Sequence, residues 1–124
     1  MEYPKIIKSQ GLINSEEVLK RLKKRKDLAD YEIWIGAFTN CREVGLTFYP
    51  IYKNGEPIKK SKTFCIYEHR NSDQIIINGK NGCITFNGDL PYQDGDKWNF
   101  LACADYEKYD EATDLLVKEI KKLN

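Results

Sequence analysis

Two polar loops, at 39–43 and 68–73, lie between apolar stretches of the chain. The sequence has four arginines, and two of them, Arg42 and Arg70, stand one in each loop, whereas the other 16 cations are lysines. Arginine presents a planar fork that binds a phosphate or a carboxylate at two points, which lysine does not. Each loop therefore contains the residue type that a site for a small anion would need.

Aromatic and amide side chains accompany these two arginines. Aromatic residues make up 12% of the chain, and stacking of a nucleobase on an aromatic ring contributes about 1–3 kcal/mol in nucleic-acid complexes. A sugar nucleotide with a diphosphate needs cations together with a flat apolar face, which the two loops would supply if they meet in one pocket. The predicted ligand-binding residues are Arg42, Arg70, Asn40, Asn71, His69, Tyr67 and Phe38.

Simpler interpretations exist for the same residues. Each loop arginine has a neighbouring acid, Glu43 or Asp73, or a loop carbonyl with which it could pair. The basic run at 20–26 is typical of a solvated helix face opposite an apolar one, and an anion-facing patch is the alternative. Both interpretations remain open at the level of the sequence.

The aromatic residues of the apolar stretches also have two possible roles. Trp34, Phe38, Tyr49, Tyr67 and Tyr92 are candidates for stacking a base. Aromatic residues are equally common in strands and cores. We expect core positions for Trp34 together with Phe48 and Phe64.

The sequence lacks the known catalytic signatures. No glycine-rich phosphate loop precedes a helix, and a Cys–His nucleophile would have to pair Cys41 with His69, the single histidine. The four cysteines are too widely spaced for a zinc knuckle or a redox dithiol. Cys65 and Cys83 have apolar neighbours, which predicts buried free thiols. We therefore expect no catalytic residue, no metal site and no cofactor.

Composition limits the class of protein. The chain of 124 residues has 20 basic and 19 acidic residues, a formal net charge of +1, which argues against a binder of double-stranded nucleic acid. The length is that of one domain, 1–124. The N-terminus does not have the pattern of a signal peptide, and no stretch has the length of a membrane-spanning helix. A cytoplasmic protein without a membrane partner is the expectation.

Hydrophobic periodicity indicates the elements that must position the loops. A helix capped by Asn14 is predicted to end near Asp30, and a second helix is predicted to follow Asp105 as its N-cap. Turn residues mark a turn at 53–56 and a tight hairpin at 78–82. The predicted strands are 31–38, 44–52, 62–69, 73–78, 83–86 and 98–103. This order predicts a single α+β domain, with an antiparallel sheet of about five or six strands flanked by an N-terminal and a C-terminal helix.

Two stretches, 35–45 and 67–73, carry a family resemblance. With these stretches, its size and its composition, the chain resembles the Thoeris anti-defence proteins of phages, which sequester cyclic ADP-ribose signals. The resemblance implies a non-enzymatic, oligomeric nucleotide sponge in the host cytoplasm that holds its ligand intact. It assigns no site residue, so the candidates remain those of the two loops.

Two other classes of function fit the same sequence. One is a protein-binding inhibitor or immunity protein without a small-molecule ligand, which would use a charged helix face or a sheet edge. The other is a small nucleotide-processing enzyme that uses His69 or Asp73.

Overall fold

The structure is a computed structural model, and it describes residues 5–8, 16–39, 44–69, 74–82 and 98–123. The described elements follow the order strand, helix, strands, helix. They are β1 (Lys5–Lys8), α1 (Glu16–Leu22), a short 3-10 helix (Lys26–Leu28), β2 (Tyr31–Thr39), β3 (Val44–Lys53), β4 (Glu56–Pro57), β5 (Lys62–His69), β6 (Gln74–Asn81), β7 (Asn99–Asp105) and α2 (Tyr109–Lys121).

One sheet contains all the described strands, in the order β1-β2-β3-β5-β6-β7, with the short β4 paired to β3. Neighbours from β2 to β7 pair antiparallel, which the short connections predict for the pairs from β2 to β6. The first pair differs, because β1 runs parallel to β2. The chain between β1 and β2 includes α1, and a connection of that length allows a parallel crossover. The α+β fold predicted from the sequence is confirmed, with one parallel edge strand.

Both helices cover the same face of the sheet, which we call the helix face. Val18, Leu19 and Leu22 of α1 and Leu116 and Ile120 of α2 are at most 2% exposed, and they belong to one apolar cluster with the strands. Period-two alternation gives this face the buried strand residues Ile33, Ile35, Leu46, Phe48, Phe64, Ile66, Ile75 and Ile77. The core positions predicted for Phe48 and Phe64 are confirmed.

Ion pairs connect α2 with α1 and with the 3-10 helix that follows α1. Arg21 Nε donates to Asp110 at 2.6 Å, and Arg25 Nη1 donates to Asp114 at 2.5 Å. Lys121 Nζ donates to Asp27 at 2.5 Å. The basic run at 20–26 is thus only partly a solvated face, because both of its arginines are half-buried against acids of α2.

Three predicted boundaries are wrong. The first helix ends at Leu22 and not near Asp30, because Arg25 is extended (φ −83°, ψ 103°) before the 3-10 turn that buries Leu28. The second helix begins at Tyr109 with Lys108 at its N-cap. Asp105 is instead the last residue of β7, paired with Gln74.

The third wrong boundary is the tight hairpin at 78–82. β6 continues through Asn78, Gly79 and Lys80 to Asn81, and only Gly82 has a positive φ, of 82°. The predicted cap Asn14 and the predicted strand 83–86 lie outside the described residues. In contrast, the turn at 53–56 is confirmed, with φ of 55° at Asn54 and 77° at Gly55.

In the part of the chain that the structure describes, no helix is long and apolar enough to cross a membrane.

Candidate functional site

The strands that carry the two polar loops end at the same end of the sheet. Thr39 pairs with Val44 at the end of the β2–β3 hairpin, and His69 pairs with Gln74 at the end of the β5–β6 hairpin. β3 and β5 are direct neighbours, with Gly45 opposite Tyr67. The last described pairs of the two hairpins, Thr39–Val44 and His69–Gln74, therefore lie at the same end of the sheet, which we call the loop end.

Two of the predicted site residues share one row of the register. Phe38 pairs with Gly45, and Gly45 pairs with Tyr67. Neighbouring strands lie about 4.8 Å apart, so the backbones at Phe38 and Tyr67 are separated by roughly 10 Å. The residue between them is a glycine and places no side chain in that interval. His69 lies two residues beyond Tyr67 on β5, as its last residue.

Tyr67 is half-buried, and its hydroxyl group has a defined partner. Asn78 Nδ2 donates to the Tyr67 hydroxyl oxygen at 3.3 Å. Asn78 pairs with Cys65, two residues before Tyr67, so the phenol leans across β6 toward the middle of the sheet. The ring of Tyr67 therefore extends away from the end of β5 at His69.

The remaining predicted site residues, Asn40, Arg42, Arg70 and Asn71, lie outside the described residues. Phe38 and His69 are placed by their backbone pairing alone. Convergence of the two arginines on one pocket stays a prediction, although their hairpins are neighbours. Tyr92, a further stacking candidate, is also outside the described part, as are Cys41 and Cys83.

The face of the sheet opposite the helices has a different composition, and we call it the polar face. Trp34 lies on it and is 42% exposed, so its predicted core position is wrong. The reason is the strand period, because Ile33 and Ile35 on either side of Trp34 fill the helix face. Thr47 and Cys65, paired across β3 and β5, are buried on the polar face. The buried thiol predicted at Cys65 is confirmed.

A cleft of about 390 Å³ lies at the other end of the sheet, on the side of the Asn54–Gly55 turn. We call it the turn-end cleft. Its lining residues are Tyr49, Ile58, Lys59, Lys60, Ser61, Asn81 and Gly82. Of these the sequence singles out only Tyr49, as a stacking candidate. The Lys59–Lys60 pair between two predicted strands was the available signal, but lysine pairs are common on any surface.

Hydrogen bonds connect the segments that line the turn-end cleft. Ser61 is buried, and its hydroxyl donates to the Pro50 carbonyl. The Gly82 N–H donates to the Ser61 carbonyl at 3.0 Å, and the Thr63 hydroxyl donates to the Gly82 carbonyl at 2.8 Å. The end of β6 and the start of β5 are thereby fixed to β3.

A second groove, of about 380 Å³, lies between the helices. Arg21, Arg25, Asp110 and Asp114 line it. Its arginines are already paired with carboxylates: the Glu17 and Asp110 side chains raise the pKa of Arg21, and those of Asp27 and Asp114 raise the pKa of Arg25. The groove is therefore an internal ion-pair network, and an incoming anion would have to displace these carboxylates.

The arrangement defines an α+β protein whose candidate residues lie at the two ends of one sheet. Within the described ranges, no group of three or more His, Cys, Asp or Glu side chains could hold a metal ion. No family model, no curated protein and no solved structure matches the chain.

Proposed function

We propose that the protein binds a small phosphorylated ligand of the cyclic ADP-ribose type at the loop end and holds it intact. The observation that carries the proposal is the pairing of Gly45 with Tyr67. This pairing makes the β2–β3 and β5–β6 hairpins neighbours, and Arg42 and Arg70 stand in the segments that connect the strands of these two hairpins. In this proposal the protein is a phage anti-defence sponge that removes a nucleotide signal from the host cytoplasm.

The chemistry of each loop fits this ligand class. A diphosphate carries negative charge at two neighbouring phosphates, and each arginine would pair with one of them in a two-point contact. The Phe38–Gly45–Tyr67 row offers aromatic residue types for the adenine base, which would have to lie over the polar face, on the side toward which the Tyr67 ring extends. Asn40, Asn71 and His69 would supply hydrogen bonds to the ribose groups.

The first test is calorimetric titration of the protein with cyclic ADP-ribose isomers. We expect Arg42→Ala and Arg70→Ala each to weaken binding by about tenfold or more, equivalent to the loss of at least ~1.4 kcal/mol. Lys23→Ala removes an exposed cation from the helical side and serves as the control that leaves binding unchanged. Wild-type affinity in both arginine variants would show that the loop end is not the site.

The second test separates sequestration from catalysis. The protein is incubated with the ligand and then denatured, and the released nucleotides are separated by chromatography. We expect quantitative recovery of the intact ligand. Recovery of a hydrolysed product would show that the protein is an enzyme.

Thermal unfolding separates a ligand-binding protein from a protein-binding inhibitor. A ligand at 100 times its dissociation constant adds about 2.7 kcal/mol to the free energy of unfolding. We expect an increase in the melting temperature with the bound nucleotide, and light scattering on the same samples would measure the predicted homo-oligomer. The absence of a shift with every nucleotide tested would favour a protein partner.

A further inference from the structure

We propose that the turn-end cleft is a second binding site, for a phosphate monoester that carries a flat ring, such as a nucleoside monophosphate. This site lies at the opposite end of the sheet from the loop end and does not depend on the function proposed there. Its volume of about 390 Å³ falls in the lower part of the range for small-molecule sites.

Lysine side chains of the cleft have no acidic partner among the described residues and are in a position to bind an anion. Lys59 and Lys60 are exposed, and neither forms an ion pair with any residue that the structure describes. The surrounding stretch 53–62 contains four lysines and one glutamate, Glu56. A phosphate monoester carries a charge of about −1.5 to −2 near pH 7, so this local excess of positive charge favours it.

An aromatic surface adjoins these lysines. Tyr49 lines the cleft and is half-buried, and it pairs across the strands with Trp34, which is 42% exposed. Residues directly opposite in an antiparallel pair point to the same face of the sheet. A ring that enters the cleft beside Lys59 and Lys60 would therefore meet Tyr49 first and Trp34 next to it.

Hydrogen bonds within the protein already fix the positions of two residues that line the cleft. Ser61 is 8% exposed and hydrogen-bonded to Pro50, and Gly82 is fixed by the Ser61 carbonyl and the Thr63 hydroxyl. No atom of the described residues lies within 4 Å of the position that a Cβ of Gly82 would take. A site that needs little ordering loses less free energy when its ligand binds.

The test compares three ligands by calorimetric titration: adenosine monophosphate, adenosine and inorganic phosphate. We expect the monophosphate to bind most tightly, because only this ligand uses both the lysines and the rings. Binding of the monophosphate should weaken as the salt concentration rises. Adenosine binding as tightly as its monophosphate would overturn the role given to the lysines.

A matched pair of variants locates the site. Lys59→Gln/Lys60→Gln should weaken monophosphate binding by about tenfold or more, or at least ~1.4 kcal/mol. Lys23→Gln/Lys24→Gln makes the same change in net charge at exposed lysines of the helical side and should leave binding unchanged. If both double variants lose the same amount of affinity for the monophosphate, the effect is one of net charge and the proposed site is wrong. The proposed site is also wrong if the wild-type protein does not bind the monophosphate.

Two further variants complete the assignment. Tyr49→Leu should weaken binding of the monophosphate but not that of inorganic phosphate, which has no ring. Arg42→Ala/Arg70→Ala should leave monophosphate binding unchanged. If Arg42→Ala/Arg70→Ala abolishes monophosphate binding, the monophosphate binds at the loop end and the proposed turn-end site is wrong. Failure of cyclic ADP-ribose to bind would contradict the function proposed for the loop end but not the turn-end site.

Discussion

Gly79 lies where the side chain of Leu101 on β7 crosses close to the backbone of β6. A Cβ atom at this position would be 2.7 Å from Leu101 Cδ1 and 3.7 Å from Phe64 Cδ1. A side chain at position 79 would therefore force the end of the Leu101 side chain to shift, and this restriction is steric, since the φ of Gly79 is not positive, unlike that of Gly82.

We expect Gly79→Ala to lower the free energy of unfolding by roughly 1–3 kcal/mol, the usual cost of overpacking. The measurement is urea denaturation of the variant beside the wild type. Leu101→Ala removes the atoms that the new methyl group would meet, so Gly79→Ala should cost less in that background. An equal cost in both backgrounds would show that the contact with Leu101 is not the cause.

The loop arginines illustrate what residue types can and cannot indicate. The scarcity of arginine drew attention to Arg42 and Arg70 as candidate anion ligands. It did not indicate that Arg21 and Arg25 form ion pairs with α2. Partners 89 positions apart in the chain are brought together by the packing of the helices, and local sequence does not show this. The same holds for the turn-end cleft, whose walls come from β3, the 58–61 connection and the end of β6.

At the scale of elements, local turn chemistry predicts well where it acts alone. Asn54–Gly55 needs two positive φ angles, and the turn formed there as predicted. The glycines at 79 and 82 suggested the same kind of turn, but Gly79 lies inside β6. A glycine in the sequence is compatible with a turn that needs a positive φ and with a position closely approached by a neighbouring strand. Which of the two occurs depends on the strand that packs beside it.

The ends of the helices were set by tertiary contacts and not by periodicity. Apolar residues continue at helical spacing to Leu28, yet the chain leaves the α-helix after Leu22. The extended conformation at Arg25 allows its guanidinium group to reach both Asp27 and Asp114. Where the sequence predicts further turns of α-helix, the chain is instead arranged so that Arg25 pairs with Asp27 and with Asp114 of α2.

Asp27 connects the 3-10 helix to the end of α2 and makes stability depend on pH. Hydrogen bonds from Arg25, at 3.0 and 2.9 Å, and then from Lys121 hold the pKa of this carboxyl well below its usual range. A carboxyl whose folded pKa lies below its unfolded value, about 3.9, stabilises the fold above that value. This stability is lost as pH falls through the folded pKa.

We therefore expect Asp27→Asn to lower the free energy of unfolding at pH 7 by about 1 kcal/mol or less, the range for partly exposed ion pairs. The difference from the wild type should shrink as pH falls below about 4. Urea denaturation from pH 7 to pH 2 measures it, with Asp30→Asn, an exposed acid without an ion pair to a described residue, as the control. A difference that is constant over this range would contradict the linkage.

At the scale of the whole molecule, the sheet order determines how protection from solvent is distributed. β3 and β5 have a strand on each side, whereas β1 and β7 each pair with one described strand. Leu46, Phe48, Phe64 and Ile66 on the two central strands are fully buried. We expect their amides to exchange with deuterium most slowly, at the rate of global unfolding, and those of β4 to exchange fast. Equal protection of β4 and β5 would contradict this order.

The same measurement in the presence of ligands separates the two ends of the sheet. β3 passes from Gly45 at the loop end to Tyr49 at the turn-end cleft, and four residues of strand span roughly 14 Å. A bound ligand slows exchange mainly where it orders the backbone, so each site should have its own signature. We expect cyclic ADP-ribose to protect amides at 39–44 and 69–74, and adenosine monophosphate to protect those at 58–61 and 81–82. If both ligands protect only the loop end, the protein has one nucleotide site and the proposed site in the turn-end cleft is wrong. If both ligands protect only the cleft, cyclic ADP-ribose binds at the turn end and the proposed site at the loop end is wrong.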